Sequence, residues 1–115
     1  MSVALIGGTT SASAALAFNA QTGTTYTFVL ADADNKLVTA SNAAAQTYTV
    51  PLNSSVAYAT GAIINLQQIG AGQVTVAGAS GVTINGTGTA LRAQWSAASL
   101  IKTATDTWTI IGDLA

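Results

Sequence analysis

The 115-residue chain has no cysteine and no histidine, and its four acidic residues are all aspartate. Without thiols there is no disulfide framework and no thiolate metal site. Without histidine the usual base of a nucleophilic triad is missing. Charge is almost as scarce: 6% of residues are charged, against about a quarter in an ordinary soluble domain. The seven are Asp32, Asp34, Lys36, Arg92, Lys102, Asp106 and Asp113. A net charge of −1 gives no field to steer the chain toward nucleic acid or an anionic membrane, so neither is expected as a partner. No apolar run approaches the ~18 residues of a membrane span. The stretch from Met1 to Ala20 is apolar but lacks a basic leader, so no secretory signal is expected.

What the chain does contain is threonine and alanine, 18 and 24 residues respectively. Half the residues count as hydrophobic, a figure inflated by the alanine. Thr with Val and Ile favours pleated structure, because branched side chains sit easily on a sheet and crowd a helix. Few charges leave sheet edges weakly protected against pairing with another chain. A surface this neutral suits permanent assembly, since charge is depleted at interface centres.

The stretch from Gly72 to Asn85 sets the pattern. Val74-Thr75-Val76-Ala77-Gly78 is echoed by Val82-Thr83-Ile84-Asn85-Gly86. Alternation places Val74, Val76, Val82 and Ile84 on one face and the threonines on the other. The break Gly78-Ala79-Ser80-Gly81 predicts a hairpin between the two runs. Elsewhere, strands are expected at Thr24 to Leu30, Lys36 to Thr39, Gln46 to Val50, Ala62 to Ile69, Leu91 to Trp95, Ser99 to Thr103 and Thr107 to Ile111. Pro51 ends the Gln46 strand or marks it as an edge, because it cannot donate to a ladder. Some nine or ten short strands with regular turns read as an all-β fold: an antiparallel β-sandwich or barrel, jelly-roll-like. Residues 1–20 are expected as an extended N-terminal arm and residues 21–115 as the β-domain.

Candidate chemistry is sparse. General acid–base work needs a positioned titratable pair, and four scattered aspartates do not supply one. The glycine loops Gly70-Ala71-Gly72 and Gly86-Thr87-Gly88 open strands, whereas a phosphate cradle opens a helix. Asp32-Ala33-Asp34-Asn35 begins like a calcium loop but lacks its glycine and distal glutamate, so a solvated turn is the expectation. Trp95 and Trp108 with Tyr26, Tyr48 and Tyr58 are a conceivable sugar-stacking platform. Both tryptophans fall on the apolar face of their expected strands, which favours core packing. Arg92, Lys102 and Asp106 are candidates for an ion pair between subunits or for plain surface positions. No catalytic, cofactor-binding or metal-binding residue is assigned.

Several stretches together resemble a small β-module of tailed-bacteriophage virion proteins. They begin at Ala20-Gln21-Thr22-Gly23-Thr24-Thr25-Tyr26-Thr27 and pass through Lys36-Leu37-Val38-Thr39, Thr49-Val50-Pro51 and Gly70-Ala71-Gly72-Gln73-Val74-Thr75. Gly81-Val82-Thr83-Ile84-Asn85 follows. The likeness is sharpest at Leu91-Arg92-Ala93-Gln94-Trp95-Ser96-Ala97-Ala98, Ile101-Lys102, Ala104-Thr105-Asp106-Thr107-Trp108 and Gly112-Asp113-Leu114. Trp95 stands where the module more often has Tyr, and Thr103 where it more often has a basic residue. The resemblance implies a virion structural role with no catalytic residues. With so short a run before the module, no fibre shaft is expected. A capsid decoration (cement) protein on the capsid surface is therefore expected, binding major capsid protein subunits as a homotrimer. A tail-fibre or receptor-binding tip is the alternative. A carbohydrate-binding module or small hydrolase stands third.

Overall fold

The computed structural model describes residues 15–115. They form nine strands: β1 (Ala17–Gln21), β2 (Thr25–Thr27), β3 (Lys36–Ala40), β4 (Gln46–Val50), β5 (Ile63–Gln68), β6 (Val74–Gly78), β7 (Thr83–Asn85), β8 (Ala97–Ala104) and β9 (Thr107–Gly112). One short 3-10 turn, Leu30–Ala33, is the only helical element among them. The chain is all-β, as its branched side chains dictate. Of the arm expected over residues 1–20, residues 1–14 lie outside the described residues, and Ala17 to Ala20 belong to β1.

The pairing differs from an antiparallel sandwich or barrel. Successive strands alternate between two sheets. β1, β3 and β5 lie parallel in one, and β2, β4 and β6 lie parallel in the other. Parallel neighbours cannot be joined by a tight turn. Here the return path is the strand in the facing sheet, so each pass through both sheets makes one coil of a short, solenoid-like stack. Regular turn spacing is produced equally by a meander and by a coil, which is why the sequence pointed to the former.

A hairpin closes the stack. β8 pairs antiparallel with β5, and β9 antiparallel with β8 across the turn at Thr105-Asp106. β7 adds parallel to β9, giving a six-stranded order of β1-β3-β5-β8-β9-β7. The hairpin expected between Val74–Gly78 and Val82–Asn85 does not form. The break between them is a tight turn, with Val82 N–H donating to Ala79 O at 2.8 Å and Gly81 at φ 96°. That turn carries the chain across to the other sheet, where Thr83 N–H finds Asp106 O at 2.9 Å.

The core lies between the sheets. Val38, Ala40, Ile64, Leu66, Leu100, Trp108 and Ile110 come from the large sheet, and Tyr48, Val50, Val74 and Val76 from the small one. Tyr26, Phe28 and Tyr48 cluster with ring centroids 5.5–5.8 Å apart. Tyr58 meets Trp108 edge-on at 5.2 Å. Val82 and Ile84 pack partly against this core. The strand expected from Thr24 to Leu30 is shorter: the chain leaves it at Thr27 and winds into the 3-10 turn, which leaves Leu30 exposed.

The corners are tied by amides. Asn42 donates through Nδ2 to Thr22 O at 2.8 Å, and its own carbonyl accepts from Gly72 N–H at 2.8 Å. One residue thus links three successive coils. Gln46 and Gln68, both buried, bond the backbone of Gly72 and Gly70. These corners leave no room for a side chain: a Cβ on Gly72 would strike Ala44 O, and one on Gly70 would lie 2.5 Å from Asn42 N.

Candidate functional site

The residues singled out by sequence are dispersed. Asp32 is buried, and its carboxylate is fully engaged. Tyr26 Oη donates to Oδ2 at 2.7 Å, Val29 N–H to Oδ2 at 2.9 Å, and Asn19 Nδ2 to Oδ1 at 2.8 Å. Asp34 is exposed. The solvated turn expected at Asp32 is therefore a buried polar knot, because three donors compensate the desolvation of one carboxylate. Among the described residues no cluster of three or more His, Cys, Asp or Glu is placed to hold a metal ion.

Arg92, Lys102 and Asp106 are not brought together. Arg92 binds Asp113 of the same chain through two parallel contacts of 2.8 Å, and Ser96 Oγ donates to Asp113 Oδ2 at 2.7 Å. The hydrogen bonds from Arg92 and then Ser96 hold the Asp113 carboxyl below its ordinary range, and the one to Asp113 raises Arg92. Lys102 is buried, not a surface residue. Its Nζ donates to Asn53 Oδ1 at 2.6 Å and Tyr58 O at 2.7 Å, while Asn53 N–H donates to Asp106 Oδ1 at 2.7 Å.

The two outer sheet faces differ in chemistry. On the small sheet, Thr25, Thr47 and Thr75 stand in register across the coils, as do Thr27, Thr49 and Ala77. That face is a ladder of hydroxyls. On the large sheet the outward row reads Phe18, Leu37, Asn65, Ser99 and Ile111 across five strands. A second row holds Ile63, Ile101 and Thr109, and a third Thr39, Gln67 and Ala97. Ser99 Oγ donates to Asn65 Oδ1 at 2.7 Å, so the central polar pair is already satisfied. Lys36 and Lys102, the charged strand residues of this sheet, fall on the opposite parity, so none of these outward rows carries a charge. A groove of about 490 Å3 crosses the face, lined by Leu16, Leu37, Asn65, Leu66, Ala97, Ala98, Ser99, Ile111 and Gly112. Phe18 at 70% exposure and Ile111 at 53% stand beside or along it, so the face presents large apolar side chains to solvent.

At one end of this face the Arg92–Ser96 segment departs from the sequence reading. It is a turn, not a strand. Trp108 is buried as expected, but Trp95 is 64% exposed. Trp95 takes φ 75°, a left-handed conformation that costs a non-glycine residue roughly 1–2 kcal/mol. The turn is braced against that strain. Trp95 N–H donates to Gln68 O at 2.6 Å, Gln67 Nε2 to Trp95 O at 3.2 Å, and Ala93 N–H to Ser96 Oγ at 3.1 Å. The apolar alternation Leu91-Ala93-Trp95 hid this, and the polar Ser96 that locks the turn was the signal available.

No family model, curated protein or solved structure matches this chain. The geometry itself offers an uncharged face with large exposed apolar side chains, a groove across it and, at its margin, an exposed tryptophan on a hydrogen-bonded turn. Such surfaces exclude water on contact.

Proposed function

We propose that this chain is a structural protein of a tailed-bacteriophage virion, a capsid decoration (cement) protein acting as a homo-oligomer between major capsid protein subunits. The uncharged outer face of the six-stranded sheet, with its large exposed apolar side chains, carries the reading. A monomer gains nothing from exposing Phe18, Ile63 and Ile111 on a face without charge, and an assembly gains about 2.5 kcal/mol per 100 Å2 of apolar area it buries. The family resemblance supplies the virion context and implies three copies. The threonine ladder on the opposite sheet keeps that side wettable, so one side of the coil is suited to contact and the other to solvent.

The test adds purified protein to phage particles lacking it. Binding to heads, with a higher temperature of genome release, is the expected result. Antibody label confined to the tail end would reassign the chain to a fibre tip. Failure to bind particles at all would overturn the virion reading.

A further inference from the structure

The turn Arg92–Ser96 and the groove on the large sheet have opposite shapes and the same neutral chemistry. Trp95 projects, held in a strained backbone by hydrogen bonds from Gln67, to Gln68 and through Ser96. A strained residue persists only where its surroundings over-determine it, and such residues cluster at contact sites. Indoles anchored in place make the strongest interface contacts, because little rotamer freedom is lost on docking. The groove, about 490 Å3, falls in the range of ~300–1,000 Å3 that holds compact organic groups, ample for an indole. Its walls are Leu16, Leu37 and Ile111, and its floor is made small by Ala97, Ala98 and Gly112.

We propose that Trp95 of one copy of this chain seats in the sheet groove of a second copy. Charge allows it. The nearest ions, Arg92 and Asp113, neutralise each other through two 2.8 Å contacts, so no unpaired charge is desolvated. Area allows it too. Six strands about 4.8 Å apart and roughly 17 Å long present about 400 Å2 in projection, and a buried indole adds about 200 Å2. Where each copy contributes both surfaces, they come to about 600 Å2 per partner, the lower edge of the roughly 1,200–2,000 Å2 total of a standard interface. Knob and groove reside on the same polypeptide, so copies of this one chain supply both halves of the contact. The inference stands on these two surfaces and holds whether or not the assembly sits on a capsid.

The experiment pairs two variants that keep opposite halves. Trp95→Asn removes the knob, and asparagine tolerates the left-handed backbone. Ala97→Trp fills the groove and leaves Trp95 in place. The unaltered protein should associate in sedimentation, with its tryptophan emission shifting to shorter wavelength as concentration rises and Trp95 leaves water. Each variant alone should weaken association by at least about thirtyfold, with an unchanged far-ultraviolet circular dichroism spectrum. An equimolar mixture should regain a heterodimer, since one partner still has the knob and the other the groove. Should Ala97→Trp fail to fold, Ser99→Asp, which puts a charge in the groove, replaces it. A native protein that stays monomeric, a Trp95→Asn variant that associates normally, or a mixture that stays monomeric each overturns the proposal. Capsid binding without self-association would likewise overturn it while leaving the virion reading intact.

Discussion

Asp32 holds together three parts of the first coil: Asn19 on β1, Tyr26 on β2 and Val29 before the 3-10 turn, with Asn19 Nδ2 also bonded directly to Tyr26 Oη at 2.8 Å. Asp32→Ala leaves three donors without their acceptor in a buried site. A loss of about 3 kcal/mol or more is expected, read as a lower urea midpoint at unchanged slope. The tyrosines make a contrasting pair. Tyr48 Oη is buried with no partner among the described residues, whereas Tyr58 Oη donates to Val29 O at 2.6 Å. Tyr48→Phe should be neutral or stabilising by up to about 1 kcal/mol, and Tyr58→Phe destabilising by about 1 kcal/mol. Equal losses at both sites would contradict the assignment. Burial first, and then the hydrogen bond to Asp32, push Tyr26 up to about 12; burial pushes Tyr48 up to about 12. Tyr58 is raised as well, first by burial. On unfolding these groups regain their ordinary value of 10.0, so the folded state holds protons that the unfolded chain releases. Their contribution is complete below about pH 10 and fades as pH rises toward 12. Urea unfolding at increasing alkalinity should show that fall, and a flat profile would refute it. None of the buried polar knot was legible in the sequence, where Asp32 and Asp34 look alike. Only the fold turns one inward and leaves the other in water.

The strands themselves were largely readable, because alternation fixes which side chains share a face. Lys36–Ala40, Gln46–Val50, Val74–Gly78 and the β8–β9 hairpin follow it closely. What alternation cannot report is the neighbour. Val74-Thr75-Val76 would look the same paired with Val82-Thr83-Ile84 or, as found, with Gln46 to Val50 from an earlier coil. Leu91 to Trp95 misled for a related reason: three apolar residues at spacing two fit a turn whose first member is buried and whose last is exposed. The corner glycines carried more information than turn propensity reveals. Gly72→Ala should cost more than about 3 kcal/mol or prevent folding, since the added methyl meets the backbone of the preceding coil rather than a movable side chain. Gly61→Ala is the control: Gly61 has φ 91°, a left-handed value that Gly72 does not take, and open space surrounds its Cβ position. It should cost only the conformational strain, about 1 kcal/mol. Comparing the two variants by thermal unfolding separates stacking from backbone preference.

At the scale of the molecule, the radius of gyration of 15.6 Å exceeds the ~13 Å of a compact 100-residue domain, as a stack of coils requires. Ionic contact contributes little to holding it. Among the described residues the one ion pair is Arg92–Asp113, and it is exposed. Raising sodium chloride to about 1 M shortens the screening length to ~3 Å, yet the urea midpoint should barely move. A marked drop would point to ionic contacts that the fold does not display. The scarcity of charge was plain in the sequence, and so was its implication of neutral contact. Which face would be neutral and apolar was not, because that depends on the cross-coil register that lines up Phe18, Leu37 and Ile111.

The coils are unequal in length. Ala17 pairs with Lys36, but Leu37 pairs only with Asn65, the excess being spent between Pro51 and Ala62. A winding chain can enlarge one bend without disturbing the ladder above or below it, provided the strands on either side keep step. Ser54 and Ser55, exposed on that bend, therefore mark a place where a foreign peptide could be spliced in and carried outward. Its flanks, Asn53 and Tyr58, would have to be left in place because they hold Nζ of the buried Lys102. If the chain coats a particle as proposed, the added peptide would be displayed in as many copies as there are binding positions.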